Sequence, residues 1–309
     1  MAPWVLDFII HYLDKMKTAP RLLDYFKIHF IVIIYAFTAI LGNATQANTL
    51  TIVFVRCVIA SISLALIIRY SKKSFRVSTS VLWVWILNGG FVAMHWLLFF
   101  GAVKVSTVAM CLAGLSTQTF WTSLIEPIAN KVRISMIEVF LGLLVIVALV
   151  IIFSVQQAQW LGLLMGIASG FFGALFSVVN GQFTDTHDPK LITFYEMIAA
   201  GIMTGMVWSF GAFDGLAGYF PIGLDWLWIG ILALVCTVYA YTETIHLYKV
   251  FSVFSINLVI TLEPVYGIIL AIYIFGSKEI MQPGFYWGTI LLVLTVMAQP
   301  FLKKSKKLV

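Results

Sequence analysis

The sequence predicts an all-α membrane protein of ten transmembrane helices, built as two five-helix repeats of opposite orientation. Three observations support this prediction: the composition, the spacing of the apolar segments, and the distribution of basic residues between them. Of the 309 residues, 61% are hydrophobic and only 10% are charged, and the mean hydropathy is +1.01. Soluble domains carry about 25% charged residues. The composition therefore argues against a soluble protein, and the net charge of +6 does not indicate nucleic-acid binding.

Ten apolar segments have about the length of one bilayer crossing, which needs roughly 20 residues in a helix. The connections between them are short, so we expect no soluble domain of appreciable size on either side of the membrane. The predicted spans are 28–42, 50–68, 81–102, 106–126, 135–154, 160–181, 190–211, 224–247, 251–274 and 284–302.

The basic residues predict the orientation, because cytoplasmic loops carry an excess of Lys and Arg. With the amino terminus placed inside, sixteen of the nineteen basic residues fall on the cytoplasmic side. Lys104 and Lys278 fall outside, and Arg56 lies within the second span. Both termini are therefore expected in the cytoplasm. Residues 1–27 form a cytoplasmic segment whose first part has amphipathic helical spacing, with a frayed tail as the alternative, and 303–309 form a basic cytoplasmic tail.

An internal repeat appears at an offset of about 145 residues. This offset aligns Lys104 with Lys249, and residues 116–120 with 261–265. We expect one repeat at 28–154 and the second at 155–302. Because each contains five spans, an odd number, the second must be inverted. Inverted repeats typically place a binding site near the membrane midplane and allow alternating access, which favours a transporter over an enzyme or a receptor.

Several motifs carry a resemblance to a known family. They are Arg56, the run 95–102 (HWLLFFGA), Glu126-Pro127, the run 191–197 (LITFYEM) and the run 262–267 (LEPVYG). On these motifs the chain resembles the EamA family of the drug/metabolite transporter superfamily, over nearly everything after residue 27. The resemblance implies a multi-pass protein of the bacterial inner membrane. Members of the family include exporters of amino acids and related metabolites.

Ionisable groups inside the spans are the first candidates for function, because each costs about 2.5–3.5 kcal/mol on insertion scales. Glu263 lies near the middle of the ninth span, and Pro264 predicts a kink there. Its carboxylate suits a substrate ammonium or a proton, and the alternative is a structural tie to another helix, for example through Arg56. His95 lies mid-span in the third helix. Histidine titrates near neutral pH, but a neutral interhelical hydrogen bond is equally open.

Polar and aromatic side chains on other spans complete the predicted site. Gln118 and Trp121 share a face of the fourth span, and Asn257 occupies the ninth. Tyr239 and Glu243 lie four residues apart on the eighth, where a proton relay or gate is one interpretation and a snorkelling or intrahelical ion pair is the alternative. We expect a cavity lined by helices 3, 4, 8 and 9, with helices 1 and 6. The predicted substrate contacts are His95, Gln118, Trp121, Tyr239, Asn257 and Glu263, and the predicted coupling or gating residues are Arg56, Glu196 and Glu243.

Glycine stripes predict close helix packing, through Gly162, Gly166 and Gly170 on the sixth span and Gly201 and Gly205 on the seventh. No phosphate-binding loop, metal-ligand pattern or nucleophile motif is present, so we expect neither cofactor nor enzymatic activity. The predicted function is export of amino acids or related small polar metabolites, with proton coupling left open. The alternatives are import of nucleoside-, purine- or vitamin-like metabolites, and a non-transporting scaffold or sensor. The chain is expected to be a monomer or a homodimer.

Overall fold

The computed structural model describes residues 20–155, 157–211, 220–275 and 282–304, and the regular structure of these residues is helical. The surface helix predicted within residues 1–19 and the end of the basic tail lie outside the described residues. Within these residues ten long helices follow one another, with a 3-10 turn at Gln157–Gln159 before the sixth. They are α1 Leu22–Ala44, α2 Thr49–Tyr70, α3 Thr79–Val105, α4 in two parts (Val108–Leu115 and Gln118–Ala129), α5 Met136–Val155, α6 Trp160–Phe183, α7 Pro189–Gly211, α8 Asp225–Leu247, α9 in two parts (Val253–Ile260 and Glu263–Phe275) and α10 Pro283–Lys304.

The predicted polytopic membrane fold is confirmed. Eight of the helices, counting the two parts of α4 and of α9 as one each, are long and apolar enough to cross a membrane. Two further apolar helices, Met136–Ala148 and Pro283–Gln299, are shorter over the residues described. These ten elements coincide in order with the ten spans predicted from hydropathy.

Short polar caps explain why the connections between helices are so brief. Asn48, Ser78, Thr107 and Ser252 stand immediately before α2, α3, α4 and α9. In each case the side-chain oxygen accepts a hydrogen bond from the backbone N–H three residues later. Such a cap satisfies one of the N–H groups that a helix start leaves unpaired, so each helix can begin within a few residues of the previous one.

The helix breaks support the repeat register. Helix α4 is interrupted at residues 116–117 and α9 at 261–262, which are 145 residues apart, as are the caps Thr107 and Ser252. At the breaks, the hydroxyls of Thr117 and Thr261 donate to the carbonyl oxygens three residues earlier, at 2.8 and 2.6 Å. Carbonyls freed by the interruption thus gain donors. The sequence predicted the disturbance near Pro264 but not its counterpart in α4.

Helix packing follows the same pairing. Helices α2, α4 and α5 pack against their counterparts α7, α9 and α10. The contact of α3 with α6 is matched by that of α8 with α1, and the contact of α3 with α7 by that of α8 with α2. This is the pattern that a two-fold relation between five-helix halves requires. The boundaries at residues 154 and 155 remain a prediction.

The glycine stripes are packing surfaces, as predicted. A Cβ placed on Gly166 of α6 would lie 2.7 Å from the carbonyl oxygen of Cys111 and 3.1 Å from the Cα of Gly114 in α4. A Cβ on Gly205 of α7 would lie 2.8 Å from the ring of Phe54 in α2. Because these positions lack side chains, neighbouring helices approach closely at both contacts.

Candidate binding cavity

A cavity lies between the two halves, at the level of the breaks in α4 and α9. The empty space between its walls, including space open to solvent, is about 630 Å³, and about 60 Å³ can be occupied by the centre of a water molecule. In this conformation it therefore has room for a few waters or a small solute. All six helices predicted to line it contribute, and α2 adds a seventh. The lining residues are Tyr35, Thr38, Arg56, His95, Trp96, Phe99, Leu115, Gln118, Phe176, Ser177, Asn180, Cys236, Tyr241, Thr244, Ile245, Tyr248, Ile260 and Glu263.

Gln118 and Glu263 occupy equivalent positions in the two halves. Each is the first residue after the break in its helix, and the 145-residue offset relates them. Gln118 donates a hydrogen bond from Nε2 to Ser177 Oγ at 3.4 Å. The carboxylate of Glu263 is 4% exposed, and no described residue donates a hydrogen bond to it. The cavity therefore contains a carboxylate that can accept from a bound solute.

His95 both borders the cavity and makes a hydrogen bond between helices, the two roles that the sequence left open. Its Nδ1 lies 2.9 Å from the carbonyl oxygen of Ser169 and 2.9 Å from the Ser169 hydroxyl, which itself lies 3.0 Å from the carbonyl oxygen of His95. The imidazole packs edge-on against Phe176, with ring centres 5.1 Å apart. One ring nitrogen is thus used to join α3 to α6, while the ring still borders the cavity.

Arg56 is buried beside the cavity, and its partner is not Glu263, the pairing that the sequence analysis offered as an alternative. Its Nε donates to Thr237 Oγ1 at 2.6 Å, and its guanidinium carbon lies 3.9 Å from the ring centre of Trp96. Among the ion pairs of the described residues, none joins Arg56 to Glu263 or Glu196. The cation is thus held by a hydroxyl and an aromatic face.

The partner of Arg56 lies in an unusual segment of α8. Residues Leu232–Tyr241 form a π-helical stretch, and Thr237 Oγ1 donates to the Leu232 carbonyl oxygen at 2.9 Å. The π-helix is rare in proteins, and where it occurs it is often found at a functional site. Here it places Thr237 against Arg56, and it turns Tyr241 toward α7.

Glu196 belongs to a buried ring of side chains from four helices. Its Oε1 accepts from Asn88 Nδ2 at 2.5 Å, and its Oε2 accepts from the Tyr241 hydroxyl at 3.0 Å. Asn88 Nδ2 also lies 2.9 Å from Asn180 Oδ1, and Asn180 Nδ2 donates to the Tyr241 oxygen at 2.9 Å. Tyr241 and Asn180 border the cavity, so the ring connects the buried Glu196 carboxylate with the cavity wall.

Besides Glu196, which lies behind the cavity wall, four of the predicted residues do not line the main cavity. Tyr239 is 42% exposed and packs edge-on against Phe30. The spacing of Tyr239 and Glu243 indicates a shared face but not where that face points. Tyr239 is on the outside of α8, and Tyr241, two residues later, faces the cavity instead.

The other three are used in contacts between helices or side chains. Asn257 Nδ2 donates to Thr122 Oγ1 at 2.8 Å, joining α9 to α4. Trp121 packs edge-on against Phe171 of α6. Glu243 pairs with Lys27 at 3.4 Å. Asn257 nevertheless borders a small neighbouring pocket together with Gln118 and Glu263.

Several cavity residues were missed by the sequence analysis. Tyr35 and Thr244 are hydrogen-bonded to each other at 2.7 Å across the cavity wall, and Tyr248 also lines it. Tyrosines near the ends of spans are typical of the membrane interface. Tyr248 was therefore not recognised as a cavity residue. Asn180 could have been identified from the sequence, because it is an amide within an otherwise apolar part of the sixth span.

At the predicted outer end, polar contacts join the two halves above the cavity. Asp225 Oδ1, at the start of α8, accepts from Thr45 Oγ1 at 2.6 Å and from the backbone N–H of Gln46 at 2.8 Å. Lys104 Nζ donates to the carbonyl oxygen of Thr45. These bonds connect the ends of α1 and α3 with α8.

At the predicted inner end, a second set of polar contacts joins the two halves below the cavity. The carboxylate of Glu126 accepts from the backbone N–H groups of Val253 and Phe254 at 3.1 and 2.7 Å, at the start of α9. Lys73 pairs with Asp188. Partial burial alone would raise the pKa of Asp188, but hydrogen bonds from Lys73 and from the backbone of Lys190 hold that pKa below its ordinary value. The cavity is thus bounded at both ends by contacts between halves.

Replacing Tyr241 with Phe is expected to lower stability measurably, whereas Tyr239→Phe is expected to have little effect. The Tyr241 hydroxyl donates to Glu196 and accepts from Asn180, and a buried group left without its partner costs about 1–3 kcal/mol. The Tyr239 side chain is largely exposed. Thermal unfolding of the two purified variants in detergent compares them within one helix. Equal midpoints would contradict the proposed importance of the ring.

Comparison with known proteins agrees with this architecture. The model of the EamA-like transporter family matches residues 160–298, which begin at α6 and end within α10. One solved structure, whose title reads only "Crystal structure of protein", superimposes with a TM-score of 0.69 at 14% identity, covering 92% of this chain and 97% of that chain. At this identity the likeness concerns the fold alone. No curated protein matches the chain.

Proposed function

We propose, from the match of residues 160–298 to the model of the EamA-like transporter family, that this protein is a membrane transporter. We further propose that it is a secondary carrier exporting amino acids or related small polar metabolites. The observation that carries the proposal is the cavity between the two halves. It is lined by seven helices and combines a guanidinium, a carboxylate, hydroxyls, amides and aromatic rings. Small polar solutes bind in pockets with a few well-placed polar groups among apolar walls.

Alternating access is supported by the contacts that bound the cavity. At the predicted outer end Asp225 bonds to Thr45, and at the predicted inner end Glu126 bonds to the start of α9. Each of these contacts joins one half to the other. A rocking motion of the halves breaks one set while keeping the other, and so opens the cavity to one side at a time. If the termini are cytoplasmic, the Glu126 contacts form the inner gate.

Transport is tested with the purified chain reconstituted into liposomes. Vesicles preloaded with an unlabelled amino acid are expected to accumulate the labelled one by counterflow, and protein-free vesicles are not. Glu263→Gln is expected to reduce the rate about tenfold or more, because a charge facing the substrate is lost. Tyr239→Phe is the control, since its side chain does not line the cavity, and it should retain the wild-type rate.

The substrate class is tested separately by thermal stabilisation. The panel contains the amino acids, amines, nucleosides, purines and vitamins. A ligand at one hundred times its dissociation constant adds about 2.7 kcal/mol to the stability of the native state. Stabilisation by nucleosides or vitamins instead of amino acids would replace the proposed substrate class. No stabilisation and no counterflow with any compound would overturn the proposal.

The direction of transport requires intact cells. Cells expressing the chain and loaded with an amino acid through a dipeptide are expected to release it faster than cells expressing Glu263→Gln. Faster uptake with unchanged release would establish an importer.

A further inference from the structure

The guanidinium of Arg56 has donors that the protein does not use. An arginine side chain carries five N–H donors and remains charged inside proteins. Arg56 is 2% exposed, and the hydrogen bond it makes to a described residue is through Nε, to Thr237. Its Nη1 is buried, and no described residue accepts a hydrogen bond from it. Arg56 thus carries a donor without a partner among the described residues, on a side chain that borders the cavity.

No described carboxylate neutralises this charge. The two ion pairs among the described residues are Lys27 with Glu243 and Lys73 with Asp188. Glu196 is held in the ring with Asn88 and Tyr241. A buried charge without a counter-ion is unfavourable, and the rings of Trp96 and Phe100, at 3.9 and 5.8 Å, offset only part of this cost. The site is suited to receive an anionic group from the substrate.

The rest of the cavity restricts which anion can bind. Glu263 borders the same cavity and receives no hydrogen bond from a described residue, so it repels a multiply charged anion and attracts a cation. Arginine matches the planar geometry of a carboxylate with two parallel hydrogen bonds. The aromatic rings of Trp96, Phe99 and Phe176 form an apolar wall. A zwitterion with an apolar side chain satisfies all three conditions.

We propose that the cavity binds an aliphatic α-amino acid with its carboxylate on the Nη atoms of Arg56 and its ammonium toward Glu263. This inference rests on the proposed transport function and assigns the substrate class and its orientation. Thr237 is a positioning residue, because its hydroxyl holds Nε while Nη1 has no partner among the described residues.

L-leucine and three of its analogues test the proposed orientation of the bound amino acid on the wild-type protein. L-leucine carries both charges, L-leucinamide and 3-methylbutylamine lack the carboxylate, and N-acetyl-L-leucine lacks the ammonium. Dissociation constants are measured by calorimetry on the full chain in detergent. L-leucine is expected to bind about thirtyfold or more tightly than each of the others, since losing one partner of a buried charge pair has an effect of this size. Equal binding of L-leucine and L-leucinamide would overturn the carboxylate subsite.

Variants then assign each charge to its residue. Arg56→Gln is expected to bind L-leucine about thirtyfold more weakly and to lose the preference for L-leucine over L-leucinamide. Glu263→Gln is expected to keep that preference and to lose the one over N-acetyl-L-leucine. Arg56→Lys retains a positive charge and should keep part of the preference, which separates loss of charge from loss of folding. An Arg56→Gln protein that still discriminates against the amide overturns the assignment.

The outcomes distinguish this inference from the proposed function. A protein that transports or binds another class of metabolite, but none of the leucine set, overturns the inference and leaves the transporter proposal standing. A protein that responds neither to the leucine set nor to the wider panel overturns both.

Discussion

Replacing Gly166 with Leu is expected to prevent recovery of the folded protein or to lower its unfolding temperature by many degrees. A Cβ at this position would meet backbone atoms of α4, the carbonyl oxygen of Cys111 at 2.7 Å and the Cα of Gly114 at 3.1 Å. Backbone atoms cannot move aside as a flexible side chain can. The helices must therefore separate, and overpacking of this kind typically costs about 1–3 kcal/mol, occasionally more.

The displacement also reaches the cavity. Gly170 and Gly173, further along the same face of α6, approach Thr117 and Gln118 at the break in α4. Moving α6 outward would disturb the position of Gln118 beside Ser177. The matched control is Gly230→Leu in α8, because nothing lies within 4 Å of a Cβ at Gly230. Size-exclusion profiles and thermal unfolding of both variants provide the measurement, and a Gly166→Leu protein as stable as the control would contradict the packing described.

Asn88→Leu is expected to be among the most destabilising changes to a polar residue, and a second substitution should rescue it. The Nδ2 group of Asn88 lies within hydrogen-bonding distance of Glu196 Oε1, Asn180 Oδ1 and the carbonyl oxygen of Phe176. Leucine has the same number of side-chain heavy atoms and a similar branched shape, but no donor. Each buried acceptor left unpaired costs about 1–3 kcal/mol, and a charged one costs more.

The expected rescue depends on the same cost of an unpaired buried acceptor. In the double variant Asn88→Leu/Glu196→Leu the carboxylate is removed together with its donor, and replacing both partners with apolar groups can be nearly neutral. The double variant should therefore be more stable than the sum of the single effects predicts. Chemical or thermal unfolding of the wild type, both single variants and the double variant measures the coupling. Additive effects would show that the ring does not act as a unit.

Hydropathy predicted the number and order of the helices because a bilayer imposes a local requirement on the chain. Each crossing needs about 20 apolar residues whose backbone groups are satisfied within the helix. The caps at Asn48 and Ser78, and the glycine stripe of α6, are local patterns of the same kind. The repeat offset of 145, first seen as a weak match around Lys104 and Lys249, reappears in the helix breaks at 116–117 and 261–262.

The candidate site was predicted only in part. Arg56, His95, Gln118 and Glu263 line the cavity, and each could be found because a polar group deep in an apolar span needs an explanation. Tyr239 was predicted as a substrate contact but does not line the cavity, because a four-residue spacing shows which residues share a face and not where that face points. Tyr248 was missed because tyrosine is common at membrane interfaces. Tyr35, in the middle of α1, was not singled out from the sequence.

The sequence by itself determined the fold class, the number and order of the helices, and the small set of buried polar residues. Only the tertiary structure decided the partners: Arg56 with Thr237 and Trp96, and Glu196 with Asn88 and Tyr241. The physical reason is that helix formation in a membrane depends on residues close in the chain. The partner of a buried polar group depends instead on how helices far apart in sequence are rotated and how closely they approach.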